Sequence, residues 1–201
     1  MTTIYLVRHG QNDYVEKGKL AGWLPGVHLN AAGKEQAAEA AEMLRAVRLQ
    51  AVYSSPLERA TETADEIAAI QGLNVIVLQG LGEMRIGRWE GLSLRAARRR
   101  KLWPTIQYTP SLARFPEGES FLEAQSRIVE TLEGLRSKHS GSIACVSHAD
   151  PIKLAIAHYI GLPIDSFQRL DVRPASISEL SIEDRSARLI HLNVILRSSP
   201  P

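Results

Sequence analysis

Short apolar runs alternate with longer stretches of helical spacing along almost the whole chain, and this restricts the fold more than any other feature. Residues 4–7 (Ile4, Tyr5, Leu6, Val7) form a compact apolar run of the kind buried strands use. Residues 51–54, 75–78 and 143–146 read as further strands. Between them, residues 31–48 are rich in Ala, Glu, Gln and Leu and predict a helix that Asn30 caps. Ser55-Pro56-Leu57-Glu58 has the order of a capping box with Pro at the first helical position. It predicts a helix from there to Gln71, with Gly72 as its stop. Ser120 and Glu123 form a second such box, opening a helix to about residue 138. Pro151 suits the first turn of another helix, which Gly161 and Pro163 end. Residues 176–182 and 188–195 alternate like strands around a polar turn at 184–186, which suggests a terminal hairpin. Strands that alternate with helices imply an α/β sandwich with a mostly parallel sheet. The hairpin would add antiparallel edge strands.

With 201 residues, the chain suits one domain, 1–201. The stretch 87–118 is less regular and holds Pro104, Pro110 and Pro116, so it reads as a cap or insert beside the active site. Residues 198–201 look frayed. No run approaches 18 apolar residues, so no membrane helix is expected, and the N-terminus meets Arg8 and His9 too soon for a signal peptide. A cytoplasmic protein is the expectation. The net charge of +2 is too balanced for a bulk nucleic-acid binder. The lone Cys145 leaves no internal disulfide and no multi-cysteine zinc site. Of the 24 basic residues 18 are Arg, whose forked donors suit phosphate, although composition bias would give the same count.

Several residues fall where chemistry is done in such sheets, at the carboxyl ends of strands. Arg8-His9-Gly10 follows the first strand directly. Gly10 would let the backbone turn and come close to a ligand. His9 could act as a nucleophile and Arg8 could hold an anion beside it, although loop residues of these types are commonly ordinary. Ser147-His148 follows another buried strand and would bring a second histidine to the same edge. Arg59 lies in the first turn of the helix expected after Ser55, where a helix N-terminus already favours anions. Glu83, in the loop after the third strand, could be a general acid.

Leu6-Val7-Arg8-His9-Gly10, Ser54-Ser55-Pro56-Leu57-Glu58-Arg59-Ala60-Thr61-Glu62-Thr63-Ala64, Glu83 before Gly87-Arg88-Trp89-Glu90-Gly91, Pro116-Glu117-Gly118-Glu119-Ser120 and Val146-Ser147-His148 occur in one order. That ordered set resembles the histidine phosphatase superfamily, the phosphoglycerate mutase-like family, over roughly residues 3–195. The resemblance implies a three-layer α/β/α sandwich. It implies that His9 attacks phosphorus and becomes phosphohistidine, that Arg8, Arg59 and His148 surround the phosphoryl group, and that Glu83 protonates the leaving oxygen. It implies no metal and no cofactor. On this reading His9 must be neutral, while a protonated His148 would help to bind the dianion.

The chain departs from the common pattern at Gln11-Asn12, although Asn12 can still donate a hydrogen bond to phosphate. Mutase members carry an Asn further along this loop, where this chain has Val15. Ala149-Asp150 follows His148 where Gly is frequent. The leading expectation is therefore a metal-independent phosphomonoester hydrolase acting on a small phosphorylated metabolite. A cofactor-dependent phosphoglycerate mutase and a non-catalytic phosphate-binding module are the alternatives. The basic run Arg95, Arg98, Arg99, Arg100 and Lys101 reads as a solvated helix face. His28, His139, His158 and His191 match no catalytic position, and the terminal hairpin offers an edge for a homodimer.

Overall fold

The computed structural model describes residues 1–184 and 186–196, so the tail at 198–201 lies outside the described residues. In chain order the elements are β1 (Thr2–Arg8), α1 (Asp13–Glu16), α2 (Ala31–Met43), β2 (Leu49–Ser54), α3 (Glu58–Gln71) and β3 (Val75–Val77). There follow α4 (Leu94–Ala97), α5 (Trp103–Tyr108), α6 (Phe121–Arg136), β4 (Ser142–Ser147), α7 (Ala149–Tyr159), β5 (Ile177–Ile182) and β6 (Ala187–Val194).

The six strands form one sheet in the order β3-β2-β4-β1-β5-β6. The first four in that order run parallel, and the terminal hairpin adds β5 and β6 antiparallel. Both faces of the central strands are buried, and the side-chain period of two divides them. Ile4, Leu6, Tyr53, Ile143 and Cys145 meet Ile128 and Leu132 of α6 and Ile152 and Ile156 of α7. Val7, Val52, Ala144 and Val146 meet Ala40 and Ala41 of α2 and Ala60, Ala64 and Ile67 of α3. This is the three-layer α/β/α arrangement. The small alanines let α2 and α3 lie close to the sheet. The 87–118 segment holds α4 and α5, and its Trp89, Ile106 and Phe115 share a third apolar cluster with Phe121 of α6 and Phe167. The Trp89 and Trp103 rings stack 6.4 Å apart.

Two expected helices have different ends. α2 stops at Met43, not 48, because Leu44 turns inward and is 2% exposed. The chain then reverses, so that Leu49 can enter the sheet opposite Ser142. The capping box at Ser120 forms as expected, with both reciprocal hydrogen bonds. The one at Ser55 does not. α3 begins at Glu58 with Leu57 in the cap position and no side-chain cap bond. Glu58 Oε1 instead accepts from the Gly26 amide at 2.9 Å, and the Ser55 hydroxyl is committed elsewhere.

Candidate active site

β1 and β4 lie side by side at the centre of the sheet, but the chain leaves them in opposite directions. After β1 it runs to α2 on one face, and after β4 to α7 on the other. A crevice opens at such a switch point. Arg8 ends β1 and Ser147 ends β4, so His9 and His148 are the first residues beyond the two strands. The His9 amide donates to the Ser147 carbonyl at 3.0 Å, which ties the two exits together.

Gly10 lies behind the cavity wall. A Cβ there would meet the Gly33 carbonyl oxygen at 2.4 Å, and a Cβ on Gly33 would meet the Gln11 oxygen at 1.9 Å. The two glycines let the loop after β1 sit directly on the first turn of α2. The close approach expected at Gly10 is thus between two backbones, with the Gly10 amide held by Thr63 Oγ1 at 3.0 Å.

His9 is 3% exposed, and its ring is fixed by one contact. Nδ1 stands 2.7 Å from the Gly10 carbonyl oxygen, which can only accept, so Nδ1 carries the proton. Nε2 is left with its lone pair, and Arg59 Nε donates to it at 3.4 Å. The His148 ring lies edge-on to His9 with centroids 5.1 Å apart. Its Nε2 is 2.7 Å from Ser55 Oγ. That hydroxyl oxygen also accepts from the Leu57 amide at 3.3 Å, and its rotatable hydrogen can be given to His148 Nε2. The Nδ1–H of His148 then faces Glu83, whose Oε2 is 3.9 Å away.

Four donor atoms in this cluster are buried without a partner among the described residues: Arg8 Nε, Asn12 Nδ2, Arg59 Nη1 and His148 Nδ1. Their neighbouring atoms are anchored. Arg8 Nη1 donates to the Val172 carbonyl at 2.8 Å and Arg59 Nη2 to the Gly22 carbonyl at 2.9 Å. Asn12 Oδ1 accepts the Val15 amide at 2.9 Å and so caps α1. Buried donors normally find acceptors. Anchored donors left open together make a site for an oxyanion.

Burial and the two guanidinium charges act together on the titrating groups. His9 is pushed well below its usual range by desolvation first, then by Arg59 and Arg8. His148 is lowered in the same way, by burial, Arg59, His9 and Arg8. Burial and the two nearby cations thus disfavour the protonated His148 expected from the resemblance, and in its neutral form the ring can serve as an N–H donor. Glu83 moves the other way, from 4.5 to about 7, because burial and the charge of Asp150 oppose its ionisation more than Arg59 and Arg8 favour it.

Arg8, His9, Asn12, Arg59 and Glu83 line one cavity of about 240 Å³. Val15, Leu20, Met84, Ile86, Leu94, Lys19 and Asp150 supply much of the remaining wall. The 87–118 segment holds part of that wall in place by backbone bonds: the Leu20 amide donates to Leu92 O at 2.8 Å and the Leu94 amide to Gly18 O at 2.8 Å. Among the described residues, no group of three His, Cys, Asp or Glu side chains is placed to hold a metal ion. His28 contacts Glu62 on the surface, and His139 contacts Tyr53. Arg95, Arg98, Arg99, Arg100 and Lys101 are all exposed.

Sequence reasoning gave no site role to Ser55, Arg127 or Asp150. Ser55 gives no local signal of its role, since its spacing to Glu58 imitates a cap. Trp23 donates from Nε1 to the Glu83 carbonyl at 2.6 Å, and Arg127 reaches the same carbonyl from α6. Asp150 stands in the first turn of α7 and lines the cavity. Nothing local in the sequence separates Arg127 from an ordinary helix-surface arginine.

The profile of the histidine phosphatase superfamily (branch 1) matches residues 4–195. Phosphoserine phosphatase 1 of Hydrogenobacter thermophilus is 29% identical, over 96% of this chain and 93% of its own length. The 2,3-bisphosphoglycerate-dependent phosphoglycerate mutase of Thermoplasma acidophilum is 28% identical, over 91% of this chain and 88% of its own. A mycobacterial glucosyl-3-phosphoglycerate phosphatase, solved with VO3, superposes with a TM-score of 0.87 at 26% identity. That likeness covers 96% of this chain and 99% of the other.

Proposed function

Because this chain belongs to the histidine phosphatase superfamily, we propose that it hydrolyses phosphate monoesters through a phosphoryl group carried on His9 Nε2. The observation that supports this most is the set of four open donors around an imidazole whose lone pair is at Nε2. His9 is the nucleophile. It is neutral at neutral pH, and the Gly10 carbonyl holds its Nδ1 proton, so the ring stays oriented as positive charge develops. As the Nε2–P bond forms, the ester P–O bond breaks. Arg8, Arg59, Asn12 and the N–H of His148 take the equatorial oxygens, where charge is spread in the transition state.

Glu83 is the general acid. A value of about 7 keeps a large fraction protonated at neutral pH, and that proton goes to the leaving alkoxide. The carboxylate left behind then takes a proton from the water that attacks the phosphohistidine. Inorganic phosphate leaves, and both residues return to their starting states.

Small phosphorylated metabolites are the substrates this cavity fits, in keeping with the phosphoserine and phosphoglycerate names of the relatives. Hydrolysis is preferred over mutase action because Val15, which offers no side-chain hydrogen bond, lines the cavity where mutase members carry an Asn. The test is turnover of p-nitrophenyl phosphate in the presence of a chelator, with His9→Ala as the control. Phosphate release that disappears in the variant supports the reading. Undiminished release in the variant overturns it. Isomerisation of 3-phosphoglycerate without phosphate release would establish the mutase instead. Vanadate binding with no turnover would establish a binding module.

A further inference from the structure

A single guanidinium outside the reacting cluster grips the loop that carries Glu83. Arg127 lies on the face of α6 that looks toward the end of β3. Its Nη1 donates to the carbonyls of Gly80 at 2.9 Å and Gly82 at 3.0 Å. Its Nη2 donates to the Glu83 carbonyl at 3.3 Å and to Glu119 Oε1 at 2.6 Å, and its Nε to Glu119 Oε2 at 3.3 Å. A guanidinium has five N–H groups, so each one is committed. Glu119 also accepts the Arg85 amide at 2.9 Å, so the pair holds the chain on both sides of the acid.

The loop is shaped for this grip. A Cβ on Gly80 would meet Thr131 Oγ1 at 1.9 Å, one turn beyond Arg127 on α6. A Cβ on Gly82 would meet the Trp23 ring at 2.3 Å, and that ring donates to the same Glu83 carbonyl. An ion pair serving stability alone needs only its partner. Here three of five donors go to backbone carbonyls within four residues of chain, and the last of those carbonyls is that of Glu83.

We infer that Arg127, locked by Glu119, is the positioning residue of the acid: it fixes residues 80–85 so that the Glu83 carboxyl meets the leaving oxygen. This rests on the reading of Glu83 as proton donor. In kcat/KM, which ends with phosphoryl transfer to His9 and loss of the alcohol, a residue that acts through the acid matters only when the leaving group needs a proton. β-Glycerophosphate releases an alkoxide that does. p-Nitrophenyl phosphate releases a stable phenolate that does not.

The test compares kcat/KM on these two esters for the wild type, Arg127→Met, Arg127→Lys and Glu83→Gln. Arg127→Met should lose on the order of 10²-fold on the alkyl ester, the cost of a misplaced catalytic group, and only a few-fold on the aryl ester. Arg127→Lys should fall between, and Glu83→Gln should give the same split. If Arg127→Met does not fold, the aryl rate reveals it, and Arg127→Lys carries the comparison. Equal losses on both esters, or none, with the Glu83→Gln split intact, overturn the positioning role. A flat Glu83→Gln profile overturns the acid assignment and this inference with it.

Discussion

Replacing Glu83 by Gln should make the protein more stable above neutral pH and nearly leave its stability alone in acid. In the folded chain the carboxyl titrates at about 7 against an ordinary value of 4.5. An acid whose value is raised by folding binds its proton more tightly in the native state. Below 4.5 both states are protonated and no penalty exists. Between 4.5 and about 7 the unfolded chain ionises first, and stability falls as pH rises. Above that window the full penalty applies. The rise from 4.5 to about 7, at about 1.36 kcal/mol per pH unit, sets an upper bound of ~3 kcal/mol. The side chain keeps 21% of its surface open, so solvent reduces this, and a gain of about 1–3 kcal/mol is expected. Glutamine keeps the shape and an acceptor for the Met84 amide, which Glu83 Oε1 now takes at 2.8 Å. The assay is urea unfolding of both proteins at about pH 4 and about pH 8, read as the difference between the two differences. A gain of the same size at both values, or a loss at the higher one, refutes the argument that the site holds this carboxyl against its ionisation. The variant that gains stability should also lose turnover of alkyl phosphates, as expected where a site is built under electrostatic strain.

Asp150→Asn removes the negative charge that helps to hold Glu83 protonated. The alkaline limb of kcat/KM on an alkyl phosphate should move to lower pH, and an unmoved limb would count against the coupling. Ser55→Ala frees Nε2 of His148 from its hydroxyl partner. The imidazole ¹⁵N shifts should report a mixed tautomer and kcat/KM should fall by about tenfold, the worth of roughly 1.4 kcal/mol; unchanged shifts would contradict the assigned proton. Gly33→Ala should destabilise by about 1–3 kcal/mol, since overpacking against the Gln11 carbonyl exceeds the helix-propensity gain of about 1 kcal/mol. Thermal unfolding checks this, and a variant more stable than wild type would show that the contact yields.

Arg8, His9, Arg59 and His148 were legible because each stands at the end of a strand or in a helix turn whose position follows from hydrophobic pattern. Arg8, His9 and His148 are placed by β1 and β4, and those strands read clearly because both of their faces are buried. The hairpin and the Ser120 box were legible for similar reasons. The Ser55 box was not, because the same hydroxyl that caps a helix also serves an imidazole, and only the fold brings His148 within reach. Arg127 was hidden for a related reason. Its carbonyl partners lie 44–47 residues away in a loop with no periodic signal. The depressed basicity of His148 turns on its burial and then on its distances to Arg59 and His9, which sequence order does not give.

The most direct measurement is the covalent intermediate itself. Protein mixed briefly with a phosphate monoester and quenched in alkali should carry one phosphoryl group on His9, stable in base and lost in acid, as a phosphoramidate is. Peptide mass spectrometry would locate it, and His9→Ala should carry none. Rapid turnover with no phosphoryl group on His9 at any time, or a phosphoryl group on another residue, would contradict the account.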